Sequence, residues 1–595
     1  MVNPLDDSQL LRLAGDLRYR LFPPLRGVTV FGPLVVLTGL IPALAAVMGT
    51  EFDDVVAGWG LRALDLTRAI DIQDWLEPGR GGLGKGYLQQ PPLSSWLLSI
   101  VVPRLGTESL LAWRALPLIA ICCAIWVMYL IGRRLGGAAF GLITVWALCG
   151  HPVLLRLAPN PGPAALGILL IALTVWGFLS HLEGPLQLVS IRMLCGAVAW
   201  GLALLTVGPV AVVLFIPMLL HAWLLQGGRN ASTTPPAAGS RLWQLWLGMR
   251  TLIVFILTAL SFSGWWQLMM LTNYGSGFWH SWWAGHVTLN ASLETPHSCW
   301  REWLAQNTFL VGWLILGLVS VIRELRTPTS EVVRRRCQFV LGWWLTALAL
   351  RLLFDIPGLR RSVLIDTWDA FLLLPTALLV AWGIKATIAR QTNLLAESLL
   401  VVTTLALTTW RVSQRPWLGV TVFGLAFLTV ILLPTMMVRI RRGARRWTER
   451  DWRWVMQAAV CLMFVSHLCW GVLELSRPTS RSQSLTELRK RISPIEPLPR
   501  VTLLTSNGNA PESLLFVLAS RWPESQFYVS NAQDRRPTQE VAINAQDEEL
   551  VVEWARQEVR ITNEISADRQ ATAIGDPLRL SGRRLTIYHL GPRQH

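Results

Sequence analysis

Apolar runs of about twenty residues recur along this chain, separated by short polar stretches rich in arginine. A helix needs about 20 consecutive apolar residues to cross the hydrocarbon layer of a bilayer, so each run predicts one membrane span. The spans fall at 28–48, 112–132, 138–157, 162–182, 191–207, 208–225, 249–271, 307–323, 337–354, 363–386, 396–410, 416–438 and 454–474, thirteen in all. Residues 91–103 (PPLSSWLLSIVVP) are apolar but short and bracketed by prolines, which predicts an interfacial or re-entrant helix instead. From 476 onward the pattern changes. Strand-like runs appear at Arg500 to Thr505, Gln526 to Ser530 and Arg584 to Leu590, and helix-like ones at Leu514 to Trp522 and Glu548 to Gln557. The fold class expected is a polytopic all-α membrane protein with a small C-terminal α/β soluble domain.

Composition narrows this further. Of the 595 residues, 52% are apolar and 15% charged, whereas soluble domains carry roughly 25% charge. A string of soluble domains is excluded. A net charge of +16 would suit nucleic acid, but the basic residues lie in short loops between apolar runs, outside any nucleic-acid-binding module. They mark membrane topology. Cys122, Cys123, Cys149, Cys195, Cys461 and Cys469 lie within apolar runs as small hydrophobes, with no spacing that suggests a zinc site or disulfide framework. The first run follows a basic segment containing Arg12, Arg18, Arg20 and Arg26 and reads as a retained span, not a cleaved signal.

Arginine placement sets the orientation. With the N-terminus inside, roughly four-fifths of the Lys and Arg beside short loops fall on the inner face, as the positive-inside rule requires. Thirteen spans then put the two ends of the chain on opposite faces. The expected division is a cytoplasmic segment 1–27, a transmembrane domain 28–475 with outer loops 49–111 and 272–306, and an outer-face domain 476–595. The expected location is the inner (plasma) membrane of the cell, the outer face being periplasmic.

Ionisable groups are costly near lipid, so their grouping on one face carries information. The outer side collects Asp53 and Asp54, Tyr87, Gln90, His151, Arg156, Asn160, His286, Arg351, Asp355, Arg360, Arg361, Asp366 and Asp369. A membrane enzyme that takes a group from a lipid phosphate needs a carboxylate for the acceptor, cations or donors for the leaving phosphate, and an apolar groove for the tail. Asp53 or Asp54 suits the first role and Arg360 and Arg361 the second. Asp366 and Asp369, one turn apart, also suit a structural pairing with Arg351 or Arg361. The residues identify no cofactor and no metal ligands, and a divalent cation stays open.

The string GTEFDDVVAGWG, followed by DWLEPGRGGLGKGYLQQPPLSSWLLSI, resembles the first outer loop of the GT-C type lipid-linked glycosyltransferases. Within that type it is most similar to glycosyltransferase family 39, which includes protein O-mannosyltransferases and the 4-amino-4-deoxy-L-arabinose lipid A transferase. Their acidic pair, Asp-Trp-x-x-Pro stretch and Tyr-x-x-Lys-Pro-Pro are matched by Asp53-Asp54, Asp74-Trp75 with Pro78, and Tyr87 to Pro92. The stretch SGWWQLMMLTNYGSGFWHSWWAGHVT resembles the family's Trp-rich outer loop, with His286 as the matching histidine. The resemblance implies a glycosyltransferase that moves a sugar from a polyprenyl-phosphate donor to a lipid or protein acceptor on the outer face. It further implies that Asp53 is the catalytic carboxylate and that Tyr87 and Gln90 approach the donor phosphate.

Several positions depart from the family pattern, and each departure removes charge. Gln90 stands in place of lysine and can hydrogen-bond a phosphate without neutralising it. Asn160 occupies the second acidic position, Thr206-Val207-Gly208 replaces a Thr-Lys-Gly turn, and Arg360 and Arg361 match a basic segment only loosely. Lys85 is a nearby cation that could compensate. Two other readings therefore stay open: a non-catalytic or altered-donor relative, and a lipid-carrier transporter. The orientation makes one testable claim. Single cysteines replacing Asp53 or Asp54, in a cysteine-free background, should react with a membrane-impermeant reagent added outside, and protection until the membrane is permeabilised would remove the proposed venue for the chemistry.

Overall fold

The computed structural model describes residues 54–77, 91–149, 151–182, 190–224, 238–286, 307, 310–327, 331–353, 365–388, 480–495, 500–505, 512–522, 526–531, 549–555, 571–573, 578–580 and 583–590. The predicted spans 28–48, 396–410, 416–438 and 454–474 lie outside them. The segment ahead of the helical core contributes α1 (Asp54–Thr67), α2 (Ile72–Leu76) and α3 (Leu93–Leu105). The helical core follows as α4 (Leu110–Gly136), α5 (Ala138–Cys149), α6 (Pro152–Leu157), α7 (Pro163–Leu182), α8 (Ile191–Val207), α9 (Phe215–Leu224) and α10 (Ala238–Tyr274). It continues with α11 (Ser276–His286), α12 (Val311–Arg326), α13 (Glu331–Leu353) and α14 (Ile365–Ile388). Leu110–Gly136 and Arg250–Tyr274 are each long and apolar enough to cross a membrane. Both also expose large apolar side chains, among them Ile119, Trp126, Leu257 and Leu268, as lipid-facing surfaces do.

Most described spans stand where the hydropathy predicts, and the exceptions have local causes. The run 138–157 is not one helix: α5 ends at Cys149 and α6 restarts at Pro152, with His151 as its cap. Proline is tolerated at a first helical position but cannot donate in a helix interior, so the break falls just before it. The run 208–225 opens as a 3-10 helix over Gly208–Leu214 before α9 begins. The run 249–271 belongs to a longer helix, because α10 extends through a more polar first stretch that hydropathy does not count. The proline-bracketed segment forms α3 as a short helix packed on α1 and α4.

Between lipid-embedded helices the hydrophobic effect offers little drive, so close van der Waals packing has to do the joining. Glycines permit it here. A β-carbon at Gly317 of α12 would lie 1.9 Å from the Leu379 carbonyl oxygen of α14, and one at Gly383 of α14 would lie 2.1 Å from that of Trp313. Gly177 of α7 and Gly196 of α8 meet in the same way, a β-carbon on Gly177 falling 2.7 Å from the Gly196 α-carbon. Around these contacts sits a single apolar core that includes Trp200, Phe255, Trp313, Phe339, Trp343 and Phe371.

The C-terminal residues form α15 (Ser480–Ile492), β1 (Arg500–Thr505), α16 (Glu512–Arg521), β2 (Gln526–Asn531), β3 (Glu549–Ala555), β4 (Ala571–Ala573), β5 (Leu578–Leu580) and β6 (Arg583–Leu590). The strands build one mixed sheet in the order β2-β1-β3-β6-β4, with β5 also on β6. β1 pairs in parallel with β2 (Arg500 opposite Gln526) and with β3 (Arg500 opposite Glu549), and β6 runs antiparallel to β3. The helix expected over Glu548 to Gln557 is therefore wrong: its centre is β3, inside the sheet. Leu550, Val552 and Trp554 alternate with Glu549, Val551 and Glu553, a period of two that strands on both sides can use, and adjacent valines favour it.

This sheet's helix α16 lies against α1 and shares a second apolar cluster with it, joining Ala57, Leu61 and Leu64 to Leu514, Phe516 and Leu518 through Trp113. Burying each large side chain there contributes about 1.5–3 kcal/mol. The segment carrying α1 and the C-terminal unit thus pack directly against each other.

The glycine contacts generate a test. A β-carbon at Gly317 or Gly383 meets backbone, which cannot swing aside, so Gly317→Ala and Gly383→Ala should each lower unfolding free energy in detergent by about 1–3 kcal/mol or more. Unchanged thermal and denaturant profiles for both would show that α12 and α14 are not joined as described.

Candidate functional site

The candidate site is built from three structures that converge on the segment carrying α1 and α2. The first is the turn between α6 and α7. Asn160 follows α6 and its Oδ1 accepts from the Gly162 N–H at 2.8 Å, while its own N–H donates to the Leu157 carbonyl at 3.1 Å. A side-chain oxygen bonded two residues on is the turn that Asn favours for its short polar side chain. The indole of Trp59, on α1, lies 3.4 Å from where a Gly162 β-carbon would sit. Asp54 is the first residue of α1, about 7.5 Å along the axis from Trp59 at 1.5 Å per residue. The guanidinium of Arg62 lies over the Trp59 ring at 4.7 Å. Farther along, burial pushes the Arg68 guanidinium below its ordinary pKa, and Asp65 partly opposes the shift.

The second structure is the α5–α6 break. His151 is buried, its Nδ1 accepts from the Val153 N–H at 3.2 Å, and its Nε2 lies 3.1 Å from Asn307 Oδ1. An Nδ1 that accepts leaves Nε2 to carry the proton and donate, so this is a neutral imidazole with both nitrogens committed. Its evident work is to cap α6.

The third structure holds the Asp-Trp-x-x-Pro stretch. Three consecutive residues are gripped there: the Trp75 carbonyl accepts from Trp96 Nε1, the Leu76 carbonyl accepts from Trp266 Nε1 at 2.9 Å, and the Glu77 carboxylate accepts from the Tyr274 hydroxyl. Glu77 is fully buried. α10 ends at Tyr274, and Gly275 with φ 55° turns the chain so that α11 folds back, a backbone region that costs glycine little. Phe278 and Trp282 of α11 then pack with Trp266 and Leu76. Trp96 and Trp265 stack at 6.1 Å. The segment carrying α2 is thereby joined to α10 and α11, with His286 as the last residue of α11.

Among the residues singled out from sequence, Asn160 is placed with its contacts, and Asp54 and His286 are placed as helix ends. Asp53, Lys85, Tyr87, Gln90, Arg360 and Arg361 lie outside the described residues. Asp369 pairs with Arg351 at 2.7 Å in a buried contact between α14 and α13, the structural pairing weighed from sequence. Val207 is fully buried, and its Cγ1 would lie 2.5 Å from a β-carbon on Gly167 of α7, so that position serves packing where the family carries a charge. Among the described residues no three of His, Cys, Asp and Glu gather closely enough to hold a metal ion.

Sequence reasoning missed Glu77, Trp96, Trp266, Tyr274 and Asn307. One signal was available for Tyr274. The chain has 31 Trp but 6 Tyr, so a tyrosine closing a Trp-rich span suggests that the hydroxyl is needed. The two partners of Asn307 and Glu77 lie too far away in sequence for any local pattern to reveal them.

Comparison with known proteins bears on the whole chain. A family model described as dolichyl-phosphate-mannose-protein mannosyltransferase matches residues 89–240. The fold matches that of ArnT from Cupriavidus metallidurans bound to undecaprenyl phosphate, with a TM-score of 0.62 and 14% identity, covering 95% of this chain and 98% of that one. The apo state of the same protein gives a TM-score of 0.59 at 13% identity, covering 94% and 97%. A search of curated proteins by sequence returned no match. The resemblance read from the motifs holds: the chain has the fold of a GT-C, family-39-like lipid-linked glycosyltransferase.

The junction of α2 with α10 yields a measurable coupling. A hydrogen bond from a hydroxyl to a buried carboxylate contributes about 1.5–3 kcal/mol, so a double-mutant cycle of Tyr274→Phe with Glu77→Gln should return a coupling of about that size in unfolding free energy. Additive effects would mean that the contact carries no load.

Proposed function

We propose that this chain is a membrane glycosyltransferase that moves a sugar from a polyprenyl-phosphate donor to a lipid or protein acceptor on the outer face of the membrane. The observation that carries this reading is the full-length likeness in fold to ArnT, whose crystal structure holds undecaprenyl phosphate. The loop motifs and the junction of the two outer loops support it. In this reading residues 1–27 are cytoplasmic, 28–475 form the transmembrane domain of an inner-membrane protein, and 476–595 form a unit on the outer face.

The reaction is a substitution at the anomeric carbon. An acceptor oxygen forms a bond to that carbon, the bond from carbon to phosphate oxygen breaks, and polyprenyl phosphate leaves with the electron pair. The acceptor's proton goes to Asp53, with Asp54 beside it at the opening of α1. Tyr87, Gln90 and Lys85 hold the donor phosphate, Arg360 and Arg361 stabilise its charge on departure, and His286 and Asn160 border the cleft.

One observation favours a second reading, a relative with an altered donor or without turnover. Asn160 spends its side-chain oxygen on the Gly162 turn, and Val207 is buried in the core, so two positions charged in the family are neutral and structurally occupied here.

Proteoliposomes given an undecaprenyl-phosphate sugar and a membrane extract as acceptor would decide between these. Transfer should occur and should fall by about 10²–10⁴-fold in Asp53→Asn, the size of a lost general base. Undiminished transfer in that variant rejects the assignment of the base, and tight donor binding without turnover in the unaltered chain selects the second reading.

A further inference from the structure

We infer that the C-terminal α/β unit positions α1, the helix that opens with Asp54, and that Phe516 is the positioning residue through which it acts. The inference rests on the proposed role of the acidic pair, and its geometry lies on described residues. α16 lies along α1 with Phe516 at the contact. Gly60 makes that contact possible: a β-carbon there would stand 2.3 Å from Phe516 Cε2 and 2.7 Å from Cδ2. Phe516 is 1% exposed, and its ring meets the edge of Trp113 at 5.0 Å with the planes 77° apart. Trp113, near the start of α4, is itself fixed, its Nε1 donating to the Thr107 carbonyl at 2.8 Å. The ring therefore has no slack in which to yield.

Polar contacts fix the rest of the unit against the same loop. Arg521, the last residue of α16, pairs with the Glu108 carboxylate between α3 and α4. Its other nitrogen donates to the Ser493 carbonyl at 2.8 Å and the Ile495 carbonyl at 3.2 Å, beyond α15. Arg489 of α15 donates to the Glu108 carbonyl at 2.9 Å. The unit thus touches α1 through Phe516, α4 through Trp113 and the α3–α4 loop through Glu108.

A second side of α1 is constrained as well. Trp59 belongs to the membrane core and abuts the Asn160 turn. Trp59 and Gly60 are successive residues, about 100° apart around the helix. α1 is held between the C-terminal unit and the membrane core, so displacement of Phe516 is transmitted to the helix start rather than absorbed. The C-terminal unit would in this way set the position of the helix that opens at the acidic pair.

The test uses the full chain in nanodiscs with Gly60→Ala, Phe516→Leu, the Gly60→Ala/Phe516→Leu pair and Arg521→Gln. An ångström-scale misplacement can cost on the order of 100-fold in rate, so Gly60→Ala should lower kcat for transfer by about 10- to 100-fold with the donor KM changed by less than about twofold. Shortening the ring should restore much of the rate in the paired variant. Amide exchange over 54–67 should quicken in Phe516→Leu and Arg521→Gln while that over 163–207 stays as in the unaltered chain. A Gly60→Ala protein with full kcat, or a loss that the shorter ring does not relieve, overturns the inference. If the unaltered chain transfers no sugar, the catalytic reading fails by itself, and the exchange measurement still decides: unchanged exchange over 54–67 rejects the coupling and faster exchange upholds it.

Discussion

The candidate site of this protein depends on the double burial of one short helix. α1 turns Trp59 toward the membrane core and Ala57, Leu61 and Leu64 toward the C-terminal unit. Neither partner alone would fix it. A fourteen-residue helix at a membrane surface has little stability of its own, because nucleation is costly and short isolated helices are marginal in water. Its position is set by packing, and the packing comes from segments distant in the chain.

The same principle operates at α2. This helix is too short to hold itself, with five residues, yet its end is gripped at Trp75, Leu76 and Glu77 by donors from α3 and α10. Two of the three acceptors are backbone carbonyls at a helix terminus, which need partners wherever water is excluded. Tryptophan suits the task because one side chain supplies both apolar area and an N–H. The abundant tryptophans of this chain thus include two at α2 whose indole nitrogens act as structural donors.

How legible each part was depended on the range of the interaction that decides it. Ile191–Val207 stands at the predicted bounds because a hydropathy run bounded by polar residues is a local property. Arg500–Thr505 is likewise the strand its pattern describes. Glu549–Ala555 was misread because its sequence suits either periodicity, and the neighbouring strands β1 and β6 decided it. The break at Cys149 was missed because hydropathy is indifferent to a single proline, whereas helix hydrogen bonding is not. At the candidate site, the commitment of Asn160 to the Gly162 N–H could not be read from composition.

The sequence by itself determined which segments are apolar enough to form long helices, the family these motifs resemble and the residue types that suit a lipid-phosphate reaction, because hydropathy and short motifs are properties of neighbouring residues. Only the tertiary structure decided what holds those segments. The bond from Trp266 to Leu76 spans 190 positions of the chain, and Phe516 fits Gly60 because a missing β-carbon meets a ring from the far end of the molecule. Such pairings depend on which faces meet after the whole chain has packed, and no local pattern carries that information.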